Sequence, residues 1–142
     1  MDEKQLKIYW KVYTDAWTLI KNHEKVQNAH ITDMIKSHSI GVMNRMFCLV
    51  VRQELLHKEN MLQMKEYQIA FTEAWKIFKK YSDPPEDDDE FWEALVQEVK
   101  ALGQQFNECR LIHNLLVFVT LEEIERIWKE KIKLEVHDDK SY

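Results

Sequence analysis

Residues 13–21 read YTDAWTLIK, and residues 71–79 read FTEAWKIFK. Every apolar position of the first segment is apolar in the second, and Trp17 and Trp75 fall in register at an offset of 58 positions. The match extends upstream, where three residues recur at the same offset: Gln5, Lys7 and Tyr9 match Gln63, Lys65 and Tyr67. Self-similarity at a fixed offset is typical of a duplicated structural unit. The sequence therefore predicts two related helical units.

Apolar residues in the first unit follow helical spacing. Leu6, Tyr9, Tyr13, Ala16 and Ile20 are three or four positions apart, which predicts a helix near 3–22 and, through the repeat, another near 61–81. A short helix or one irregular turn is predicted over 31–38. A broad apolar stripe from residue 40 predicts a second long helix to about residue 59. Because residues 60–62 correspond to the start of the first copy, we expect a break near 58–61.

The second unit carries its own stop and start signals. Pro84 and Pro85 end the preceding helix, because proline lacks a backbone donor and forces its predecessor out of the helical region. Asp88 or Asp89 is expected to cap the next helix. Gly103 either ends that helix or lies within it. A last helix is predicted over 108–133, and it matches residues 42–55 at an offset of 69.

Composition favours an all-α fold. The chain has 142 residues with only two glycines and two prolines, and 45% of its residues are hydrophobic. Sixteen aromatic residues (five Trp, five Tyr and six Phe) predict an aromatic core. We expect five to six helices in two related antiparallel units that share this core: residues 1–59, residues 60–132 with an acidic insertion, and a flexible tail at 133–142.

Charge and cysteine content narrow the function classes. The net charge is −5 and the basic residues are scattered, so direct binding of nucleic acid is not expected. Cys48 and Cys109 lie in apolar runs, which suits buried thiols in a reducing cytoplasm better than disulfides. The start of the chain lacks a signal-peptide pattern, and no apolar run is long enough to span a bilayer. A cytoplasmic protein without membrane contact is expected.

One acidic run is the main candidate site. It follows the proline pair and consists of Glu86, Asp87, Asp88, Asp89 and Glu90. Five adjacent carboxylates could dock on a basic protein surface or imitate phosphates. The alternative is a solvated loop that also caps a helix. The spacing does not fit a calcium loop, which requires alternating acidic ligands and a central glycine.

Two patterns in the sequence bear on metal-dependent catalysis. Glu54 and His57 have the spacing of a di-iron helix, but the matching position in the second unit holds Arg126 instead of histidine. A second set, Glu90, Glu93, Glu122 and Glu125, resembles the paired acidic motifs with which all-α nucleoside triphosphate pyrophosphatases bind magnesium. That resemblance would make the four glutamates metal ligands, although Glu125 stands where the family has aspartate. The prediction is a non-enzyme without a cofactor, with the pyrophosphatase as the alternative.

Residues 61–131 resemble the small uncharacterised helical proteins of bacterial prophages and mobile elements. The resemblance rests on the order of an aromatic-Thr-Glu-Ala-Trp helix, an acidic linker, Phe91-Trp92-Glu93 and a final Leu-rich helix ending in 122–126. It implies a mobile-element origin and carries no active site. We therefore predict a non-catalytic module whose acidic run binds the basic surface of another protein, for example as an inhibitor of a host defence nuclease. A self-associating bundle, such as a homodimer, is a further alternative.

Overall fold

The computed structural model describes residues 1–38, 41 and 44–139, and every regular element in that part of the chain is helical. Helix α1 spans Glu3–Lys21 and α2 spans Asn28–Ser37. Helix α3 joins a π-helical segment, Met46–Val51, to the α-helical turn Arg52–Leu56. Helices α4 and α5 span Met64–Lys80 and Asp89–Gln105. Helix α6 joins Arg110–His113, the π-helical segment Asn114–Leu121 and Glu122–Asp139. The predicted all-α fold of five to six helices is confirmed.

The break predicted near 58–61 is present. Helix α3 ends at Leu56, a 3-10 turn follows over Lys58–Asn60, and Met61 has extended backbone with φ −71° and ψ 149°. The second long helix therefore ends at Leu56, three residues before the expected residue 59. Its predicted start at residue 40 lies outside the described residues.

Helix α2 begins earlier than predicted, at Asn28. The reason is a reciprocal capping arrangement, in which the ring Nδ1 of His30 accepts a hydrogen bond of 2.8 Å from the backbone N–H of Gln27. Such a cap satisfies backbone donors that the first helical turn leaves free.

Two left-handed residues, rather than Gly103, separate the last two helices. Gly103 lies inside α5, and the chain turns at Asn107 and Glu108, whose φ angles are 55° and 53°. Helix α6 consequently starts at Arg110 instead of residue 108 and remains helical to Asp139. It thus covers most of the segment predicted as a flexible tail, and residues 140–142 lie outside the described part.

Helices α1 and α4 pack antiparallel through a ladder of aromatic rings. Tyr13 contacts Trp75 with ring centroids 5.5 Å apart, and Trp17 contacts Phe71 at 6.4 Å. The two contacts join matched positions, because residues 13 and 17 correspond to 71 and 75 at the offset of 58. Each of the two contacts therefore pairs a tryptophan of one helix with a smaller ring of the other helix.

The π-helical segments of α3 and α6 lie against each other and exchange hydrogen bonds. Arg45 Nε donates to the carbonyl oxygen of Phe118 at 2.6 Å, and Asn114 Nδ2 donates to the carbonyl oxygen of Leu49 at 3.0 Å. Residues 45 and 49 correspond to 114 and 118 at the offset of 69. These contacts, like those of the aromatic ladder, join positions that match in sequence, and the duplication itself stays a prediction.

Candidate functional site

The acidic segment 86–90 lies at the surface and leads into α5. All five side chains are exposed, and Asp89 and Glu90 form the first turn of the helix. Asp88 is the N-cap, as one of the two predicted options, and its Oδ1 accepts from the N–H of Phe91 at 3.3 Å. Carboxylates at this end also interact favourably with the helix dipole. Asp88 therefore caps the helix, which is the structural role that the sequence offered as the alternative to a binding site.

Helix α6 holds the acidic segment in place. Trp128 Nε1 donates to the carbonyl oxygen of Glu86 at 3.1 Å, and Lys131 Nζ donates to that of Pro84 at 3.1 Å. Lys131 also lies 3.6 Å from the carboxylate of Asp83. The backbone is thus anchored at Glu86 and at the preceding Pro84, and the side chains of 87–90 remain exposed.

Aromatic rings form a row beside the carboxylates. Tyr81, Phe91, Trp92 and Trp128 meet edge to face, with successive centroid distances of 5.2, 5.1 and 5.7 Å. Trp92 is half-buried, and Val96, one turn further along α5, is 40% exposed. Trp92 and Val96 line a groove of about 480 Å³ together with Glu90 and Glu93. The acidic segment therefore borders an apolar strip.

Two of the four glutamates of the magnesium alternative form ion pairs with other residues. Glu122 pairs with Arg45 at 3.2 Å, and Glu125 pairs with Lys129 at 3.2 Å. Within residues 1–38, 41 and 44–139, no group of three or more His, Cys, Asp or Glu side chains could hold a metal ion. The structure thus does not assemble Glu90, Glu93, Glu122 and Glu125 into a metal site.

Two buried glutamates, each bonded to a tyrosine and an arginine, were not predicted as a functional pair. Tyr9 donates to Glu123 at 2.7 Å, and Arg126 Nε lies 2.6 Å from the same carboxylate. The second cluster has the same composition: Tyr67 donates to Glu54 at 2.6 Å and Arg110 Nε lies 2.8 Å away. The tyrosines and glutamates are matched positions of the repeat, so each unit supplies the tyrosine for the other unit's glutamate.

Burial and the neighbouring carboxylates raise the pKa of both Tyr9 and Tyr67 well above the ordinary value. Hydrogen bonding to Glu123 raises the pKa of Arg126. The tyrosines therefore stay protonated and act as donors. A sequence signal for these clusters existed, because Glu54 and Glu123 both interrupt apolar stripes at core positions.

An open cleft of about 840 Å³ lies in front of Tyr9. Its walls come from the start of α1, the linker after α4, the middle of α6 and Gly41. The lining residues are Met1, Gln5, Ile8, Tyr9, Gly41, Ser82, Asp83, Arg126, Ile127 and Glu130. The cleft thus combines apolar walls with charged groups at its rim.

A histidine–carboxylate pair fastens the end of α2 to α1. His38 Nε2 lies 3.0 Å from Asp15 Oδ2, and its ring stacks on Phe47 at 5.3 Å. Burial lowers the pKa of His38, and the interaction with Asp15 offsets part of this shift. The histidine is therefore held mainly in its neutral form by its surroundings.

No protein-family model, curated protein or solved structure matches this chain significantly. The resemblance to prophage proteins consequently stays a prediction. In the part of the chain that the structure describes, no helix has the length and apolar character needed to cross a membrane.

Proposed function

We propose that this protein is a non-catalytic module that binds another protein through the acidic face, defined as residues 86–90 with Trp92 and Val96. The observation that carries the proposal is the combination of five adjacent exposed carboxylates with an apolar strip on one anchored surface. Exposed acidic segments often remain solvated loops. Here Trp128 holds the backbone at Glu86 and Lys131 holds it at the preceding Pro84, so less conformational entropy is lost when the segment binds.

The charge of the face indicates a basic partner. Among the described side chains, no cation lies within ion-pair distance of Asp87, Asp88, Asp89 or Glu90. Clustered carboxylates of this kind raise association rates with a positive surface, and the effect weakens with salt. A groove that binds nucleic acid is such a surface, and the proposed partner is an enzyme of that class in the host of a mobile element.

The apolar strip supplies the part of the affinity that salt does not screen. Aromatic residues at the centre of an interface often carry most of the binding free energy, surrounded by a polar rim. Trp92 has that position here, with Glu90 and Glu93 beside it in the same groove. We therefore expect Trp92→Ala to slow association little and to accelerate dissociation.

The test replaces the acidic face while preserving the helix cap. The variant carries Glu86→Gln, Asp87→Asn, Asp88→Asn, Asp89→Asn and Glu90→Gln, because asparagine also caps helices. A control variant removes five exposed carboxylates elsewhere, at Glu3, Glu24, Asp33, Glu59 and Glu125. Both variants have the same net charge.

Partners are first captured from host lysate at low and high salt and identified by mass spectrometry, and the affinity of the purified partner is then measured. We expect the face variant to bind at least tenfold more weakly with a flatter salt dependence, and the control to bind like the parent. Equal affinity of the parent and the face variant would refute the proposal.

A further inference from the structure

We propose that the cleft in front of Tyr9 binds an extended peptide segment with two adjacent apolar side chains, supplied by another protein. This site does not use the acidic face and does not depend on the function proposed above. The matched tyrosine of the second unit shows what covers the equivalent surface.

Tyr67 is covered by the linker between α3 and α4. The N–H of Leu62 donates to the Tyr67 hydroxyl at 3.2 Å, while that hydroxyl donates to Glu54. The backbone is extended at Met61 and Gln63, with ψ 149° at both residues. The side chains of Met61 and Leu62 are partly buried against the core. An extended apolar dipeptide thus packs beside this buried cluster.

The corresponding residues of the first unit have a different backbone. Residues 61 and 62 match Glu3 and Lys4, which form the first turn of α1 because Asp2 caps the helix by accepting from Gln5 N–H at 2.8 Å. A helical turn advances along its axis instead of folding over the tyrosine. Among the described residues, Met1 covers part of the corresponding surface at Tyr9, because it packs against the core and lines the cleft. The space that remains is the cleft of about 840 Å³.

Tyr9 retains the capacity to bind such a segment. Its hydroxyl donates to Glu123 and accepts from Arg126 Nη2 at 3.3 Å. A phenolic oxygen has two lone pairs, so a second N–H can still donate to it. Ile8 and Ile127 supply apolar walls beside it, as expected for a pocket that takes apolar side chains.

The rim of the cleft favours a basic residue next to the apolar pair. Glu130 lines the cleft, is exposed, and has no cation within ion-pair distance among the described residues. Asp83 contributes a second carboxylate, which Lys131 and the Met1 amine approach at 3.6 and 3.7 Å. A lysine or arginine in the peptide would pair with Glu130.

The probe is the chain's own linker sequence, His-Lys-Glu-Asn-Met-Leu-Gln (residues 57–63), as a blocked peptide added to the full-length protein. Binding is followed by amide chemical shifts in two-dimensional NMR spectra. A peptide of this length with two apolar anchors should bind with a dissociation constant on the order of 1 mM. We expect shifts at Ile8, Tyr9 and Ile127, and none with a peptide that has alanine at both apolar positions.

Blocking variants locate the site. Gln5→Trp fills the cleft from an exposed helical position, and Lys4→Trp is the matched control because Lys4 is exposed on the same turn but does not line the cleft. Gly41→Trp is a second block, since a Cβ at Gly41 meets no atom of the described residues within 4 Å. Both blocks should weaken peptide binding by at least about tenfold, and Lys4→Trp should leave it unchanged.

The proposal is overturned if the peptide shifts no cleft amides at concentrations of several millimolar, or if the Gln5→Trp and Gly41→Trp proteins bind it as well as the parent does. Equal binding of the alanine peptide would also overturn it, because the apolar pair would then play no part.

Discussion

Removing the hydroxyl of Tyr9 tests the role of the buried clusters. Tyr9→Phe keeps the ring that packs on Phe78 with centroids 4.6 Å apart, and it removes only the hydroxyl, which donates to Glu123 and accepts from Arg126 Nη2. Glu123 is fully buried and cannot replace the lost hydrogen bond with water. The carboxylate of Glu123 still has the guanidinium of Arg126 at 2.6 Å in the variant. It therefore loses one hydrogen-bond donor and keeps the other.

The expected cost follows from the charge of the acceptor. A hydrogen bond to a charged group contributes about 1.5–3 kcal/mol, against about 1 kcal/mol for one between neutral groups. We therefore expect Tyr9→Phe to lower the free energy of unfolding by about 2 kcal/mol. In a chain of this size that lowers the melting temperature by roughly 6–8 °C. Tyr13→Phe is the control, because its hydroxyl bonds to the neutral Thr120 at 2.7 Å, and it should cost about 1 kcal/mol.

Urea and thermal unfolding of both variants provide the measurement. A cycle with Glu123→Gln isolates the coupling, since the cost of Tyr9→Phe should fall towards that of Tyr13→Phe once the acceptor is neutral. The reasoning is refuted if Tyr9→Phe costs no more than Tyr13→Phe in the parent background.

Three further predictions concern the rest of the fold. Because burial lowers the pKa of His38, the unfolded chain binds a proton there more readily, and stability should decline as the pH falls below about 6.5. In His38→Gln that decline should be smaller, as measured by urea unfolding at pH 7.5 and 5.5. Arg45→Met and Asn114→Leu each remove a donor to a carbonyl of the facing π-helical segment, and each should lower the free energy of unfolding by about 1–3 kcal/mol. Amide hydrogen exchange should then increase first in α3 and α6. An equal increase throughout the protein would contradict this. Glu108→Gly should raise stability by up to about 1 kcal/mol because φ there is 53°. Gln104→Gly, inside α5, should instead lower stability by about 1 kcal/mol. Thermal unfolding would contradict this if both variants changed the free energy of unfolding in the same direction.

Helix boundaries were predictable where a local rule controlled them. The proline pair after α4 and the cap at Asp88 depend on residues within a few positions of each other, and the structure has both. The break after Leu56 followed from the repeat alone, because no glycine or proline marks it. The turn at Asn107 and Glu108 was missed, since neither residue type requires a left-handed backbone.

The π-helical segments could not be predicted from apolar periodicity. Met46–Val51 and Asn114–Leu121 are almost wholly apolar, so one extra residue per turn leaves no mark on the pattern. One carbonyl in each segment accepts a side-chain hydrogen bond from the opposite helix: Phe118 from Arg45 and Leu49 from Asn114. That donation requires the two helices to be packed together already.

The sequence by itself determined the helical class, the main stops and starts, and the exposed position of the acidic segment, because periodicity, proline geometry and capping act over short stretches. Only the tertiary structure decided which tyrosine meets which glutamate, where the π-helical segments face each other, and that a cleft opens at Tyr9. The physical reason is distance along the chain: Tyr9 and Glu123 are 114 positions apart, and their contact exists only after α1 and α6 have buried a common core.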